Sequence, residues 1–111
     1  EFRRVLFRSA VFGAMADKDI AGVLRHVADK VDHWCLCDLP TARAATASDL
    51  REALDATGFQ EGPDNTAACF SSPELAYRDA IERATENDRI LVFGSFHTVA
   101  GVMAYRATQA N

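Results

Sequence analysis

The sequence predicts an α/β fold in which a mostly parallel sheet carries helices on both faces. Short apolar runs of strand length alternate along the 111 residues with stretches whose apolar residues recur at helical spacing. The run from Ile90 to Phe93 consists of β-formers and is too short for a helix, which favours an interior strand of a parallel sheet. Strands that alternate with helices form right-handed crossovers, and these place the helices over the two faces of the sheet.

Capping residues and apolar spacing predict four helices and four strands. Asp19, Thr46 and Ser72 are each placed to cap the start of a helix; Asp49 completes a capping box with Thr46, and Pro73 suits a first helical position. The predicted helices are residues 19–31, a short helix that Gly58 ends, residues 73–86 and residues 98–106. The predicted strands are residues 10–13, 33–38, 67–70 and 89–93.

The length predicts one domain, the cysteines favour a cytoplasmic protein, and we expect a monomer. The formal charge of -4 and the scattered basic residues argue against nucleic acid as a partner. No apolar stretch approaches the roughly 20 residues that span a bilayer, so no membrane contact is expected. Cys35, Cys37 and Cys69 are an odd number without metal-type spacing, which favours reduced thiols. We expect Cys35 and Cys37 to share one buried face of the second strand.

Residues 1–9, EFRRVLFRS, are predicted to be a non-native tail. The string RRVLFRS matches a common sequencing-library adapter translated in frame, and the segment lacks the apolar core and cleavage site of a signal peptide. We therefore expect the natural domain to be residues 10–111, truncated at its N-terminus and missing its first strand.

The segment after the fourth predicted strand indicates a ligand-binding edge. Gly94 allows a tight turn, and Ser95 and Thr98 are each able to cap the following helix. Free backbone N–H groups at a helix start favour a carboxylate or phosphate, and ligands of open α/β sheets bind at the carboxyl ends of the strands. Phe96 is expected to pack within the protein rather than to stack on a ligand.

Three segments resemble the folylpolyglutamate synthase and dihydrofolate synthase family. Residues 94–98, GSFHT, are similar to the family's C-terminal signature. Val11 to Gly22, VFGAMADKDIAG, resembles the family's strand, loop and helix start around an Asp-Lys-Asp tripeptide, and Trp34 to Ala45, WCLCDLPTARAA, is a weaker match. The segments occur in the family's order. The resemblance implies a Rossmann-like domain of the Mur ligase C-terminal type.

The resemblance also implies an activity for a longer parent enzyme in folate biosynthesis. Such a ligase joins L-glutamate to dihydropteroate or to a folate through an acyl phosphate made with ATP. ATP and Mg²⁺ are then cofactors of the parent, bound mainly by an upstream ATPase domain, because the family's His-Asn-Pro loop and glycine-rich P-loop do not occur in this sequence. The fragment is expected to contain no catalytic residue and to be inactive alone.

The resemblance points to a glutamate site built on two segments. Glutamate carries two carboxylates, which need cations and N–H donors. Lys18, between Asp17 and Asp19, is predicted to bind a carboxylate; the alternative is a solvated lysine that pairs with its acidic neighbours. The hydroxyl of Ser95 and the adjacent N–H groups are predicted to bind the same carboxylate, rather than only to cap a helix.

Two further residues have open roles. His97 either orients the glutamate site, faces the folate or is structural, and Arg43 either reaches an anionic substrate or is exposed. Four further residues are predicted to support the glutamate site: Asp17, Asp19, Gly94 and Thr98.

Two other chemistries are disfavoured. Lys18 reduces the charge between Asp17 and Asp19, and Asp19 already has a capping role, so no metal site is predicted. A nucleophile pair of Ser95 and His97 lacks both the G-x-S-x-G elbow and an acid that would orient the histidine. Two other functions stay open: a stand-alone module that binds a small anion, and the C-terminal domain of a Mur-type cell-wall ligase.

Overall fold

The computed structural model describes residues 7–110, which form a four-stranded, all-parallel sheet with α-helices on both faces. The predicted fold class is therefore confirmed. The strands are β1 (Phe7–Phe12), β2 (Val31–Cys37), β3 (Thr66–Phe70) and β4 (Ile90–Phe93). The helices are α1 (Ile20–Val27), α2 (Ala47–Asp55), α3 (Pro73–Arg83) and α4 (Phe96–Thr108), with a 3-10 turn at Ala28–Lys30. None of these helices is long and apolar enough to cross a membrane.

The order of the strands across the sheet is β3-β2-β1-β4. Val11 of β1 pairs with Cys35 of β2 on one side and with Val92 of β4 on the other. The prediction that residues 90–93 form an interior strand is wrong for the described sheet, where β4 lies at an edge and its four residues are half-buried. A strand covered on both faces is apolar whether or not it has a second neighbour, so its own sequence does not distinguish the two positions.

Each face of the sheet has its own core. One core contains Phe12, Trp34 and Leu36 beneath α1 and α2, and the other contains Cys35 and Cys37 beneath α3 and α4. The two cysteines are almost completely buried, as predicted, and burial raises the pKa of each thiol to about 12. Both thiols therefore stay protonated and act as small apolar side chains.

The caps predicted for the first three helices are confirmed. The carboxylate of Asp19 accepts a hydrogen bond of 3.1 Å from a backbone N–H in the first turn of α1. Thr46 and Asp49 form the reciprocal capping box of α2, with hydrogen bonds of 3.0 and 3.3 Å. Ser72 caps α3, and its hydroxyl accepts a bond of 3.2 Å. These caps satisfy N–H groups that a helix start leaves without an internal partner.

The boundaries of three helices differ from the prediction. The first helix ends at Val27, and Val31 begins β2, because Val31 is fully buried and its pairing with β1 overrides the helical spacing of its sequence. The third helix ends at Arg83 rather than Glu86, since Ala84 is extended. The fourth helix begins at Phe96, two residues earlier than predicted.

The predicted tail overlaps a strand. Residues 7–9 belong to β1, so the strand begins before residue 10. Arg8 lies 3.4 Å from the carboxylate of Asp88. Ser9 is fully buried, and its hydroxyl has no hydrogen-bond partner within residues 7–110. Residues 1–6 lie outside the described residues, and both the adapter origin of the tail and the missing first strand stay predictions.

Candidate functional site

A crevice opens between the carboxyl ends of β1 and β4. Because α1 packs on one face of the sheet and α4 on the other, the connections that leave these adjacent strands diverge. Such a point, where neighbouring strands lead to opposite faces, is where open α/β sheets bind ligands. The cavity has a volume of about 500 Å³, and we call it the β1–β4 crevice. Lys18 and Ser95 both line it, as the sequence predicted for the ends of parallel strands.

The loop that carries Lys18 is held from one side by the loop that follows β2. The Ala16 N–H donates to the Arg43 carbonyl at 2.9 Å, and the Ala45 N–H donates to the Ala14 carbonyl at 2.9 Å. The Lys18 side chain is exposed at the crevice, and in the described part of the chain no ion pair joins it to a neighbouring aspartate. Its ammonium group is therefore available to an anionic ligand.

The second wall of the crevice is the start of α4. Gly94 has a φ of 112°, a conformation that favours glycine, and this turn brings the chain from β4 into the helix. Ser95 is the N-cap of α4, and its hydroxyl accepts a hydrogen bond of 3.1 Å from the His97 N–H. Ser95 thus both caps the helix and faces the crevice.

Thr98 does not cap the helix, contrary to the prediction. It is fully buried, and its hydroxyl donates a hydrogen bond of 2.8 Å to the carbonyl oxygen of Gly13, at the end of β1. The supporting role predicted for Thr98 stays a prediction, and the structure shows a contact between the two walls of the crevice instead of a helix cap.

The floor of the crevice is apolar and aromatic. The rings of Phe12 and Phe93 have their centroids 4.7 Å apart, and Ile20 and Val99 extend the apolar surface. Phe96 at the mouth is 81% exposed, so the expectation that it packs within the protein is wrong for the described residues. One cation and one hydroxyl above such a floor suit a ligand that has a carboxylate next to an apolar part.

Sequence reasoning missed this floor. Phe12 and Phe93 are the last residues of adjacent parallel strands, so their positions were the available signal. The positions of these two residues do not predict the floor, because nothing in the sequence shows that β1 and β4 are neighbours.

The other predicted site residues lie outside the crevice lining. Arg43 and His97 are both exposed, and the His97 ring lies 6.4 Å from the Phe96 ring. Asp17 is exposed, and Asp19 is engaged as the cap of α1. The binding roles assigned to all these residues stay predictions.

Residues 7–110 contain no group of three or more His, Cys, Asp or Glu side chains that could hold a metal ion. The two aspartates beside Lys18 are part of this description, and one of them is engaged as a helix cap.

Comparison with protein families places the chain in a known class of ligase domains. A family model described as "Mur ligase, glutamate ligase domain" matches residues 4–96, and the chain belongs to this family.

Within that family, the chain is similar to folate-type enzymes. It is 40% identical over 94 residues to the dihydrofolate synthase/folylpolyglutamate synthase of Escherichia coli, an alignment that covers 85% of this chain and 20% of that protein. It is 33% identical over 97 residues to the protein of the same name from Buchnera aphidicola (subsp. Acyrthosiphon pisum), covering 87% and 22%. The chain thus spans about a fifth of the length of these curated relatives.

Solved structures show the same similarity to folate-type enzymes. The chain is similar to E. coli FolC in complex with DHPP and ADP, with a TM-score of 0.79 and 35% identity over 94% of this chain and 23% of that one. It is also similar to a bifunctional folylpolyglutamate synthase/dihydrofolate synthase with Mn, AMPPNP and L-glutamate bound, with a TM-score of 0.72 and 35% identity over 93% and 23%. The predicted family and its fold are confirmed.

Proposed function

We propose that this chain is the C-terminal, glutamate-binding domain of a bifunctional dihydrofolate synthase/folylpolyglutamate synthase. The observation that carries the proposal is the β1–β4 crevice, where a free lysine and a helix-capping serine face one cavity at the ligand-binding end of the sheet. The match to a glutamate ligase domain and the relative named with L-glutamate bound support the choice of ligand.

In the proposed site, the Lys18 ammonium pairs with a carboxylate of L-glutamate. The Ser95 hydroxyl donates a second hydrogen bond to the same group, because the hydroxyl oxygen already accepts from the His97 N–H and its proton remains free. The deprotonated amine of the glutamate held in this way attacks the acyl carbon of the acyl phosphate of dihydropteroate or folate. The C–N bond forms, the C–O bond to phosphate breaks, and the proton that leaves the nitrogen passes to solvent. Arg43 and His97 contribute where the substrate extends beyond the mouth of the crevice.

The proposal assigns nucleotide chemistry to another part of the parent chain. The solved relatives are named as complexes with ADP or with AMPPNP and Mn, and ATP supplies the phosphoryl group of the acyl phosphate. In the parent, the upstream ATPase domain would hold ATP and Mg²⁺, and this domain would supply the amino acid. The fragment alone is then inactive. A cytoplasmic location and a monomeric state remain predictions.

The two other functions are not favoured. A stand-alone anion-binding module and a cell-wall ligase domain would each fit an α/β crevice, but the relatives reported above are enzymes of the folate type. Activity of the full-length enzyme with dihydropteroate and not with a muramyl precursor is the expected outcome. The reverse preference would identify the cell-wall branch.

The test of the glutamate site is kinetic and uses the full-length ligase that carries this domain. Lys18→Met should raise the KM for L-glutamate by about ten- to a hundredfold, the loss of one charge-assisted contact worth roughly 1.5–3 kcal/mol. The KM for ATP should stay within about twofold, because the nucleotide does not contact Lys18 in the proposed arrangement.

The matched control is Lys30→Met, which removes the chain's other lysine. Lys30 lies before β2 and pairs with Asp29 at 3.4 Å, at the opposite end of the sheet from the crevice. It should leave both constants unchanged. An unaltered KM for L-glutamate in the Lys18 variant would refute the proposed carboxylate contact.

A further inference from the structure

One buried hydrogen bond connects the two walls of the β1–β4 crevice. The Thr98 hydroxyl donates to the Gly13 carbonyl at 2.8 Å, and 85 positions of the chain separate the two residues. Gly13 begins the loop that carries Lys18, and Thr98 lies in the first turn of the helix that Ser95 caps. We propose that Thr98 is a positioning residue of the glutamate site, because its hydroxyl holds the Lys18 loop in register with Ser95. This inference rests on the function proposed above.

The packing around this bond leaves little room for another arrangement. A Cβ atom added at Gly13 would lie 3.0 Å from the Thr98 hydroxyl and 2.9 Å from the Cys37 sulfur. A Cβ atom added at Gly94 would overlap the Gly13 carbonyl oxygen. Two glycines therefore let the end of β1, the end of β4 and the start of α4 meet at close range around one carbonyl group.

The hydroxyl matters because a buried carbonyl group needs a donor. The Lys18 loop is anchored toward β2 by the backbone bonds of Ala14 and Ala16, whereas Thr98 anchors it toward β4 and α4. The backbone bond on that side, from the Gly13 N–H to the Phe93 carbonyl, is long at 3.4 Å. Without the hydroxyl, the Gly13 carbonyl moves toward solvent and the Lys18 loop moves with it, away from Ser95.

Two variants separate the hydroxyl from the rest of the side chain. Thr98→Val keeps the shape and removes the donor, and Thr98→Ser keeps the donor and removes a methyl group. Thr57→Val is the matched control, because the Thr57 hydroxyl also donates to a backbone carbonyl, that of Leu54, at 2.6 Å and far from the crevice. A purely structural role predicts that all three variants lose stability without any specific change at the crevice.

The first readout needs no ligand and uses amide hydrogen exchange of the 111-residue chain by NMR. In Thr98→Val, the Gly13 amide should exchange about tenfold faster relative to the Ala67 amide, which lies in the distant strand β3. Thr98→Ser should keep this ratio within about threefold of that of the unmodified chain, and Thr57→Val should not change it. Equal acceleration of the two amides would mean a global loss of stability and would overturn the inference.

The second readout is titration of the full-length ligase that carries this domain with L-glutamate. Thr98→Val should weaken binding about tenfold, and Thr98→Ser should keep the Kd within about threefold, even though it also loses stability. Equal affinity of the valine variant and the unmodified ligase would contradict positioning. If the unmodified full-length ligase itself does not bind L-glutamate, the proposed function fails, and the hydrogen-exchange ratio still decides the role of Thr98.

Discussion

At the carboxyl ends of β1 and β4, two distant chain segments meet through buried backbone and aromatic contacts. Gly13 and Gly94 lie against each other, the Thr98 hydroxyl bonds to the Gly13 carbonyl, and the rings of Phe12 and Phe93 are 4.7 Å apart between centroids. No charged side chain takes part in these contacts. We call this region the packed junction.

At the opposite edge of the sheet, charged and polar side chains connect β3 to α2 and β2. Arg51 of α2 donates to the Ala67 carbonyl at 3.1 Å, while Glu61 accepts from the Ala67 N–H at 3.1 Å and pairs with Arg51 at 3.0 Å. His33 of β2 lies 2.7 Å from the Thr66 hydroxyl. We call this region the polar junction.

The two edge strands of the sheet are therefore held by different kinds of contact. The polar junction occupies the free hydrogen-bonding groups of Ala67 on an edge strand, a position that would otherwise accept another chain. The packed junction instead excludes added atoms and keeps the walls of the ligand crevice in a fixed relation. Steric changes should therefore damage the packed junction most, whereas salt and pH should act mainly on the polar one.

The largest effect is expected from one added methyl group in the packed junction. Gly94→Ala should lower the free energy of unfolding by about 3 kcal/mol or more, because the positive φ strains the new residue and its Cβ overlaps the Gly13 carbonyl. Unfolding in urea, followed by circular dichroism, measures the loss.

Gly58→Ala is the matched control for this variant. Gly58 has a φ of 96°, close to that of Gly94, but a Cβ atom there would meet nothing within 4 Å. It should cost only the backbone strain, about 1 kcal/mol. Equal losses in the two variants would show that the close approach of the two glycines contributes nothing.

A smaller effect is expected at the polar junction. Arg51→Met removes ion pairs with Asp55 and Glu61 and the bond to the Ala67 carbonyl, and should cost about 1 kcal/mol at low ionic strength. The loss of stability in Arg51→Met should shrink in about 0.5 M salt, because the Debye length is then only a few ångström. The loss in Gly94→Ala should not depend on salt.

Arg78→Met controls for the removal of a surface arginine on a helix. Arg78 pairs with Glu74 at 3.6 Å within α3 and lies 5.9 Å from the centroid of the Tyr105 ring in α4. Its effect on stability should be smaller than that of Arg51→Met, and exchange of the Ala67 amide should remain as in the unmodified chain. If both arginine variants behave alike, the attachment of β3 does not depend on Arg51.

The local parts of this structure could be predicted from sequence. Asp19, Thr46 and Ser72 cap their helices as expected, because a cap depends on the few residues that follow it. Lys18 and Ser95 were expected at one edge because the carboxyl ends of parallel strands meet there, and the structure brings them to one crevice.

The missed parts depend on tertiary contacts. The fourth helix starts at Phe96 with Ser95 as its cap, so Thr98 is the third helical residue, and its hydroxyl bonds to the end of β1 instead of to its own helix. The direction of Arg43 depends on the loop after β2, whose course no periodicity encodes, and that of His97 depends on the residue at which α4 begins. Phe12 and Phe93 form the floor only because β1 and β4 are neighbours, a fact of topology and not of either segment.

The smallest expected effect on stability concerns His33 of the polar junction, and it depends on pH. Burial lowers its pKa below the usual 6.5, and the charge of Arg83 adds to the shift, while Asp32 and Asp79 oppose it. Below about pH 6.5 the unfolded chain therefore binds a proton that the folded chain resists, so stability is complete above this pH and falls as the pH decreases toward the lower folded pKa. Backbone hydrogen bonds also lower the pKa values of Glu61 and Asp88, from usual values of 4.5 and 3.8, so their contributions are lost only in more acidic solution.

Urea unfolding at pH 7 and pH 5 isolates the histidine, because the two carboxylates remain charged across this interval. The unmodified chain should be less stable at pH 5, and His33→Gln should lose less stability over the same interval. Gly94→Ala, whose defect lies in the packed junction, should keep the full pH dependence of the unmodified chain. If the free energy of unfolding of His33→Gln depends on pH as strongly as that of the unmodified chain, protonation of His33 does not cause the loss of stability.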